Sequence, residues 1–593
     1  MKAKRILASV VATVMMLGTM SFPVFAEGNV AKIGEKEYGT LAEAVTEAES
    51  GATITLIANA TEATTVNIKK NVTIDFDGKT LYGSIKIAGT AEVTIRNGYI
   101  RQEELISGIE VAENSKVTIN NMDIESFRHA VRIDSDANDC VATAVINGGK
   151  YVSKNNNTTC HAINIGTSNP EKPRAKSVVT INSGEFYGPV NNATGGNSLM
   201  VQSSDDDVKV YDGYFAKASG IEGCVCPTNG LKIYGGTFET WSYDSYLAEG
   251  KAVTQTGDKF KVVNAVAKIN TKNYGSLADA VAAAKSGDTI TLLGNTKGDG
   301  VVVPSGSNIT IDLGGFTYNV DGTTVGSTGT KTQAFQLLRD SVITIKNGTI
   351  TSDKAKMLIQ NYSNLTLEDV TLDGSNLDGT NLYVLSNNFG NTVITGNTNI
   401  IAKEGDVAFD CYYWPNGGYG DGVTVTLGTD FTGKITGKIE MSDDGTDSAN
   451  AASKQSISIS GGTFTVDVSE YLVPGCVMEG NTVVNKGAIW STAQDAGYFM
   501  DGETKKGVMR YLFNVSGMNI TGIGIQTESG NTSKSSVAIS GESDIVFGFD
   551  FIYTEAEATK DSYTLKGYAI INGKNNYSSD VTNEPNWTKL LAY

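Results

Sequence analysis

A chain of 593 residues with 65 Asp+Glu against 47 Lys+Arg has a formal charge of −18. Such an acidic surface repels nucleic acid and anionic lipid, and it suits divalent cations or neutral glycans better. Pro is scarce at 9 and Gly abundant at 66, which fits an all-β chain of short strands joined by tight turns, long enough for several domains.

Lys2, Lys4 and Arg5 precede an apolar run from Ile6 to about Met20, then Val24-Phe25-Ala26. A basic start, a short apolar middle and small residues at a cleavage point read as a secretory signal over residues 1–26. The run is too short for a comfortable membrane span, and no second run of that length follows. The last residues, Trp587 to Tyr593, show no sorting motif with an apolar stretch and basic tail. The expectation is a secreted protein, retained at a cell surface, if at all, without a covalent link.

The mature chain opens on a duplication. Val30–Ile57 aligns without a gap to Val266–Leu293, with about two thirds of the positions identical. The copies also end alike: Gly235-Gly-Thr-Phe238 precedes Tyr246-Leu-Ala-Glu-Gly250, and Gly461-Gly-Thr-Phe464 precedes Tyr471-Leu-Val-Pro-Gly475. Such repeats predict two tandem modules, 27–264 and 265–486. Each begins with a short helix. Leu41, Ala44, Val45 and Ala48 recur at i, i+3, i+4 and i+7, with Thr40 and Glu43 placed as a capping box. Ser276 and Asp279 are a weaker version in the second copy. These helices are expected to cover the open end of a stack of strands.

Behind each helix an apolar residue is followed five positions on by another, with Gly, Asn or Asp between. The first module has Ile95/Ile100, Ile119/Ile124, Ile146/Tyr151, Ile181/Phe186, Val210/Phe215 and Ile233/Phe238; the second has Ile345/Ile350, Leu367/Leu372 and Ile459/Phe464. Each pair reads as two short strands around a turn such as Arg96-Asn-Gly-Tyr99. A second strand precedes each pair, as in His129-Ala-Val-Arg-Ile133 and His161-Ala-Ile-Asn-Ile165. Constant strands joined by coils of unequal length predict a β-solenoid and not a propeller.

The pattern resembles the right-handed parallel β-helix of the pectin-lyase-like superfamily. It is most similar to repeat-bearing surface proteins of Gram-positive bacteria, on the Tyr-x-Thr/Ser-Leu-x-x-Ala lid and the Gly-Gly-Thr-Phe rung. The resemblance implies fold and compartment over about residues 29 to 485. It implies no single activity, because that fold hosts lyases, hydrolases, adhesins and spacers. The tail, 487–593, lacks the rungs. Val508–Phe513, Ile545–Phe549 and Tyr563–Ile571 read as strands, with Asn572-Gly573 as a hairpin turn, and resemble a small C-terminal β-sandwich.

Four features invite a site. His129 and His161, the only 2 histidines, share a position in adjacent rungs, on the face of Val131, Ile133, Ile163 and Ile165. That face points inward, so a stacked polar ladder at a core corner is expected and not a catalytic pair. Glu110, Arg132 and Asn164 occupy the opposite face, where a Glu–Arg contact would brace the sheet. Asp134 and Asp136 in one loop, with Asp205 and Asp207 two rungs later, are candidate Ca²⁺ ligands because hard cations take carboxylate oxygens; the competing reading is solvated acidic loops. Asp410-Cys-Tyr-Tyr-Trp-Pro-Asn-Gly-Gly-Tyr-Gly-Asp421 concentrates aromatics among glycines. Tyr412, Tyr413, Trp414 and Tyr419 form either a stacking platform for sugar rings or a hydrophobic cover over the solenoid. The 6 cysteines suit an exported chain's disulfides, but Cys140 lies about three rungs, ~14 Å, from Cys224 and Cys226, so free thiols are expected.

The function expected from these features is a non-catalytic binder of extracellular polysaccharide or cell-surface glycan, an adhesin-like module. The alternatives are a polysaccharide lyase or glycoside hydrolase of the same fold, and a passive stalk. Nucleic acid is not an expected partner.

Overall fold

The computed structural model describes residues 28–135, 139–155, 160–166, 175–189, 196–217, 223–327, 329–415, 418–473, 476–485, 488–493, 497–527, 530–554, 563–571, 574–578, 581–583 and 589. The expected signal segment, Asp136 and the expected turn at Asn572-Gly573 lie outside them. The chain divides into two compact units, Met1–Val263 and Asn264–Tyr593.

The first unit opens with the helix Leu41–Glu47. Thr40 Oγ1 accepts from the Glu43 N–H, and the Glu43 carboxylate accepts from the Thr40 N–H, as the spacing predicts. A third group joins them from outside the motif: Glu62 Oε1 accepts from the N–H groups of Leu41 and Ala42 at 2.6 and 3.1 Å. A carboxylate at a helix N-terminus satisfies orphan donors and opposes the positive end of the dipole. Glu62→Ala is expected to destabilise this unit by about 1 kcal/mol, read as a lower urea midpoint, while Glu62→Asp recovers part of it.

Parallel strands then stack into two sheets. The 7-stranded sheet runs Val66–Ile68, Ile85–Ile87, Ile109–Val111, Val131–Ile133, Ile163–Ile165, Leu199–Val201 and Val225–Cys226. The 16-stranded sheet contains the longer strands Glu92–Gln102, Lys116–Ser126, Val141–Ser153 and Lys176–Tyr187. Apolar rung positions pair in register: Ile95 with Ile119, Ile119 with Ile146, and Ile146 with Ile181. The expected turns inside these pairs are not turns. Asn97 and Asn121 adopt φ of 63° and 53° within unbroken strands, so the ladder continues in register through a local bend made by both strands. At Gly149, φ is +94° and a Cβ would sit 2.0 Å from Met122 O; only glycine lets the two backbones approach there. In later rungs the pairs separate, as Asp207–Val210 and Tyr214–Phe215.

The core of this unit is a ladder of equivalent side chains. Tyr151, Phe186, Phe215 and Phe238 stack with successive centroid distances of 5.2, 4.9 and 4.7 Å. Antiparallel pieces close both ends: Ala31–Ile33 lies between Lys36–Tyr38 and Ala52–Leu56, and Lys259–Asn264 lies against Thr237–Phe238.

The second unit repeats the plan. Its helix, Leu277–Ala283, is capped by Ser276, whose hydroxyl accepts from the Asp279 N–H. A 15-stranded sheet accompanies a 6-stranded parallel sheet of Val301–Val303, Gln333–Leu337, Met357–Asn361, Tyr383–Asn387, Val407–Tyr413 and Lys438–Asp443. Thr482–Asn485 pairs antiparallel with Thr463–Phe464, and Cys476–Glu479 pairs antiparallel with Thr482–Asn485 to end the larger sheet. From Ala488 onward the strands form a separate 7-stranded antiparallel sheet around Thr504–Thr527 and Gly530–Thr554. The protein is thus all-β and built on parallel β-helical stacks. All six cysteines are free thiols. Among the described residues no helix is long and apolar enough to cross a membrane.

Candidate functional site

His129 and His161 are 3% and 5% exposed and stack with centroids 5.6 Å apart and planes 7° from parallel. Each Nδ1 accepts a backbone N–H from the next rung, His129 from His161 and His161 from Asn197. Burial lowers both rings, His129 to about 3 and His161 to about 4. Neutral imidazoles whose acceptor nitrogens are used by the backbone form a structural corner ladder.

On the outer face of the 7-stranded sheet, Glu110 accepts from Lys86 at 2.8 Å and pairs with Arg132 at 3.5 Å, and Arg132 also holds Asp134. Asp134 is 2% exposed. Asp205 is exposed, and Asp207 pairs with Lys209 at 3.0 Å. The buried acid of that triplet is Asp206, which accepts from the Ser177 and Ser203 N–H groups and is pushed up to about 6 by burial. Of the four expected Ca²⁺ ligands Asp136 lies outside the described residues, so the structure leaves the set as a whole untested. Asp206, just ahead of the strand Asp207–Val210, is buried, while Asp205 is exposed and Asp207 half-buried. Among the described residues no group of three or more carboxylates, imidazoles or thiols could hold a cation.

The aromatic loop is a different case. Phe409, Cys411 and Tyr413 alternate into the core of the second unit, and Tyr413 is 2% exposed with its hydroxyl toward Asp447 Oδ2 at 3.3 Å. The strand continues to Tyr413, so this residue is a core side chain and leaves the platform. Asp410 and Tyr412 then take the outer face. Trp414 stacks on Tyr419 at 5.1 Å and 21°. Tyr419 in turn packs against Tyr362 at 5.1 Å and edge-on to Phe389 at 5.4 Å. The Arg339 guanidinium lies over Tyr419 and Phe389, 5.4 and 5.8 Å from their centroids. Tyr412, Trp414 and Tyr419 are half-buried. The loop therefore folds onto the outside of the solenoid as a braced aromatic cluster that still presents ring area.

Beside it runs a polar row that the residue order did not reveal. Gln336, Gln360, Ser386, Asp410 and Glu440 occupy in-register positions on five consecutive strands. Gln336 donates to Gln360 at 3.1 Å, and Ser386 donates to Asp410 at 3.0 Å. Asp410 also accepts from the Asn387 N–H at 2.7 Å, and Glu440 accepts from the Tyr383 hydroxyl at 3.2 Å. Asp410 is 5% exposed; burial, aided by the Glu440 carboxylate, pushes it up to about 7. One signal for this row was available: Gln336, Gln360 and Ser386 each precede an inward residue of their strand, Leu337, Asn361 and Asn387. The face thus offers amides and carboxylates along the stacking direction with aromatic rings at one side.

No protein-family model matches the chain, and no curated protein is similar to it in sequence. Among solved structures it is similar to tailspike protein gp49 from Acinetobacter baumannii bacteriophage Fri1, described as a capsular polysaccharide depolymerase. The match covers 84% of this chain and 81% of that one, at 10% identity and a TM-score of 0.18. A superposition that loose carries no argument about activity. The strands and their register define the class by themselves: a parallel β-helix protein.

Proposed function

We propose that the chain is an exported, non-catalytic binder of extracellular polysaccharide, and that the polymer lies along the outer face of the second unit's 6-stranded sheet. The observation that carries this reading is the in-register row from Gln336 to Glu440 beside the Trp414–Tyr419 stack. A linear glycan presents hydroxyls at a regular repeat and apolar ring faces. A row of side chains ~4.8 Å apart with rings alongside matches both. Export is supported by the basic and apolar pattern of residues 1–26, and a mature N-terminus at Glu27 would establish it.

Trp414→Ala separates a binding platform from a structural cover. The expected result is at least about tenfold weaker retention on immobilised polysaccharide, with the melting temperature unchanged within a degree or so. A melting temperature several degrees lower with retention unaffected would make the loop a cover.

A second reading, glycoside hydrolysis, is favoured by one observation. Asp410 and Glu440 stand on adjacent strands, and a carboxyl held near 7 can donate a proton at neutral pH while a neighbour stays ionised. New reducing ends in the same incubations, absent with Asp410→Asn, would decide for it.

A further inference from the structure

The polar row has a charge asymmetry that points to the chemistry of its ligand. Among the described residues, Asp410 accepts only from uncharged donors, Ser386 Oγ and the Asn387 N–H, and Glu440 from the Tyr383 hydroxyl. Arg339, the cation of this face, is turned away to Asp340 at 3.1 Å and to the rings of Phe389 and Tyr419. Lys438, at the start of the Glu440 strand, is exposed.

A second observation stands apart from the acids. Asn388 is 8% exposed; its Nδ2 donates to Ser386 Oγ at 3.3 Å, but its Oδ1 is buried without a hydrogen-bond partner. Ser386 is the residue that donates to Asp410, so the orphan carbonyl lies within the same hydrogen-bonded group. A buried acceptor left unmatched costs free energy that a donor from outside would recover. The face therefore carries acceptors: the half-buried Glu440 carboxylate in register with the buried Asp410 carboxyl, and a buried amide carbonyl in the same group, with rings close by.

Resting on the polysaccharide-binding reading, we propose that this face selects a polymer bearing free amino groups, an N-deacetylated hexosamine chain whose ammonium lies between Asp410 and Glu440. An ammonium offers three donors and one positive charge. It would pair with the Glu440 carboxylate, favour the ionised form of Asp410 beside it, and still leave the sugar's apolar face for Trp414 and Tyr412. An N-acetylated unit supplies one N–H and no charge. A uronate polymer adds a further anion beside Glu440 and the partly ionised Asp410 and is repelled.

The test compares three soluble probes on the full mature chain: chitosan oligosaccharides, the same oligosaccharides N-acetylated, and polygalacturonate. Binding is measured by titration calorimetry at pH 7. The expected result is that the deacetylated oligomer binds at least about tenfold more tightly than the acetylated one, as a charge-assisted hydrogen bond would give. That preference should shrink as salt is raised, and polygalacturonate should bind least. In Asp410→Asn and, separately, Glu440→Gln, the ratio of the two affinities should fall toward one. Asp410→Asn is close to isosteric, and circular dichroism with the melting temperature verifies its fold. Equal binding of acetylated and deacetylated probes, or a preference for polygalacturonate, overturns the amine assignment and leaves polysaccharide binding standing. Binding of none of the three overturns both.

Discussion

Acidification from pH 7 to pH 4 is expected to cost the first solenoid about 3 kcal/mol for each of its two histidines. The folded chain keeps His129 and His161 neutral, because burial lowers them to about 3 and about 4 from the usual 6.5. For His129 the charge of its stacked neighbour and those of Arg128 and Arg132 add to burial. The unfolded chain takes up these protons as pH falls below 6.5, while the folded chain does so only near its depressed values. The pair's contribution is therefore complete above about 6.5 and lost through the window down to about 3 to 4. Protonation at Nδ1 also removes the acceptor for the His161 and Asn197 N–H groups. Asp206, in the same unit, is raised to about 6 and acts in the opposite sense, since its folded form gains stability as pH drops. Comparison with a His129→Asn/His161→Asn variant isolates the histidines. Urea midpoints of the wild-type chain should fall between pH 7 and pH 4 by clearly more than those of the variant. Parallel pH profiles would mean that the rings titrate with ordinary values and that the ladder is open to water.

Phe215→Ala is expected to destabilise the same unit by about 3–5 kcal/mol, the range for emptying a buried aromatic site. Phe215 is 0% exposed and stacked between Phe186 and Phe238 at 4.9 and 4.7 Å. A parallel stack gives this site little means to collapse, because each rung is fixed by hydrogen bonds to the rungs above and below: Phe215 pairs in register with both Phe186 and Phe238. Phe215→Leu keeps much of the volume and should cost far less. A urea midpoint for Phe215→Ala close to wild type would show that the aromatic ladder is not a continuous packed element.

The fold was legible because a parallel stack repeats the same demand at every rung. Ile95, Ile119 and Ile146 are aligned by register, so the same apolar type recurs and the periodicity survives coils of unequal length. The capping helices were legible for a local reason, since Thr40 and Glu43 bond within one turn. The outer row was not legible. Ser386, Asp410 and Glu440 come together only through the register of strands joined by different loops, one of which shifts register between Val407 and Phe409. Tyr413 was misplaced because the aromatic run was read as a loop from Asp410 onward. The alternation of Phe409, Cys411 and Tyr413 carries the strand four residues further. Glu62 was missed at the first helix because it reaches back from a segment about twenty residues downstream. The helix Ser448–Lys454 buries only Ala451, too little of an apolar stripe to register as a pattern.

The antiparallel strands that bound each stack bear on how such a chain can evolve. A unit carrying its own terminators at both ends can be copied in frame as a finished part. Recombination then changes the number of units without altering any internal register. Two copies are also free to diverge at their outer rows while the buried rows stay alike. In this chain the Tyr-x-Thr/Ser-Leu lids remain recognisable in both copies, whereas the row of Lys86, Glu110 and Arg132 and the row of Gln336, Gln360, Ser386, Asp410 and Glu440 have only a glutamate in common.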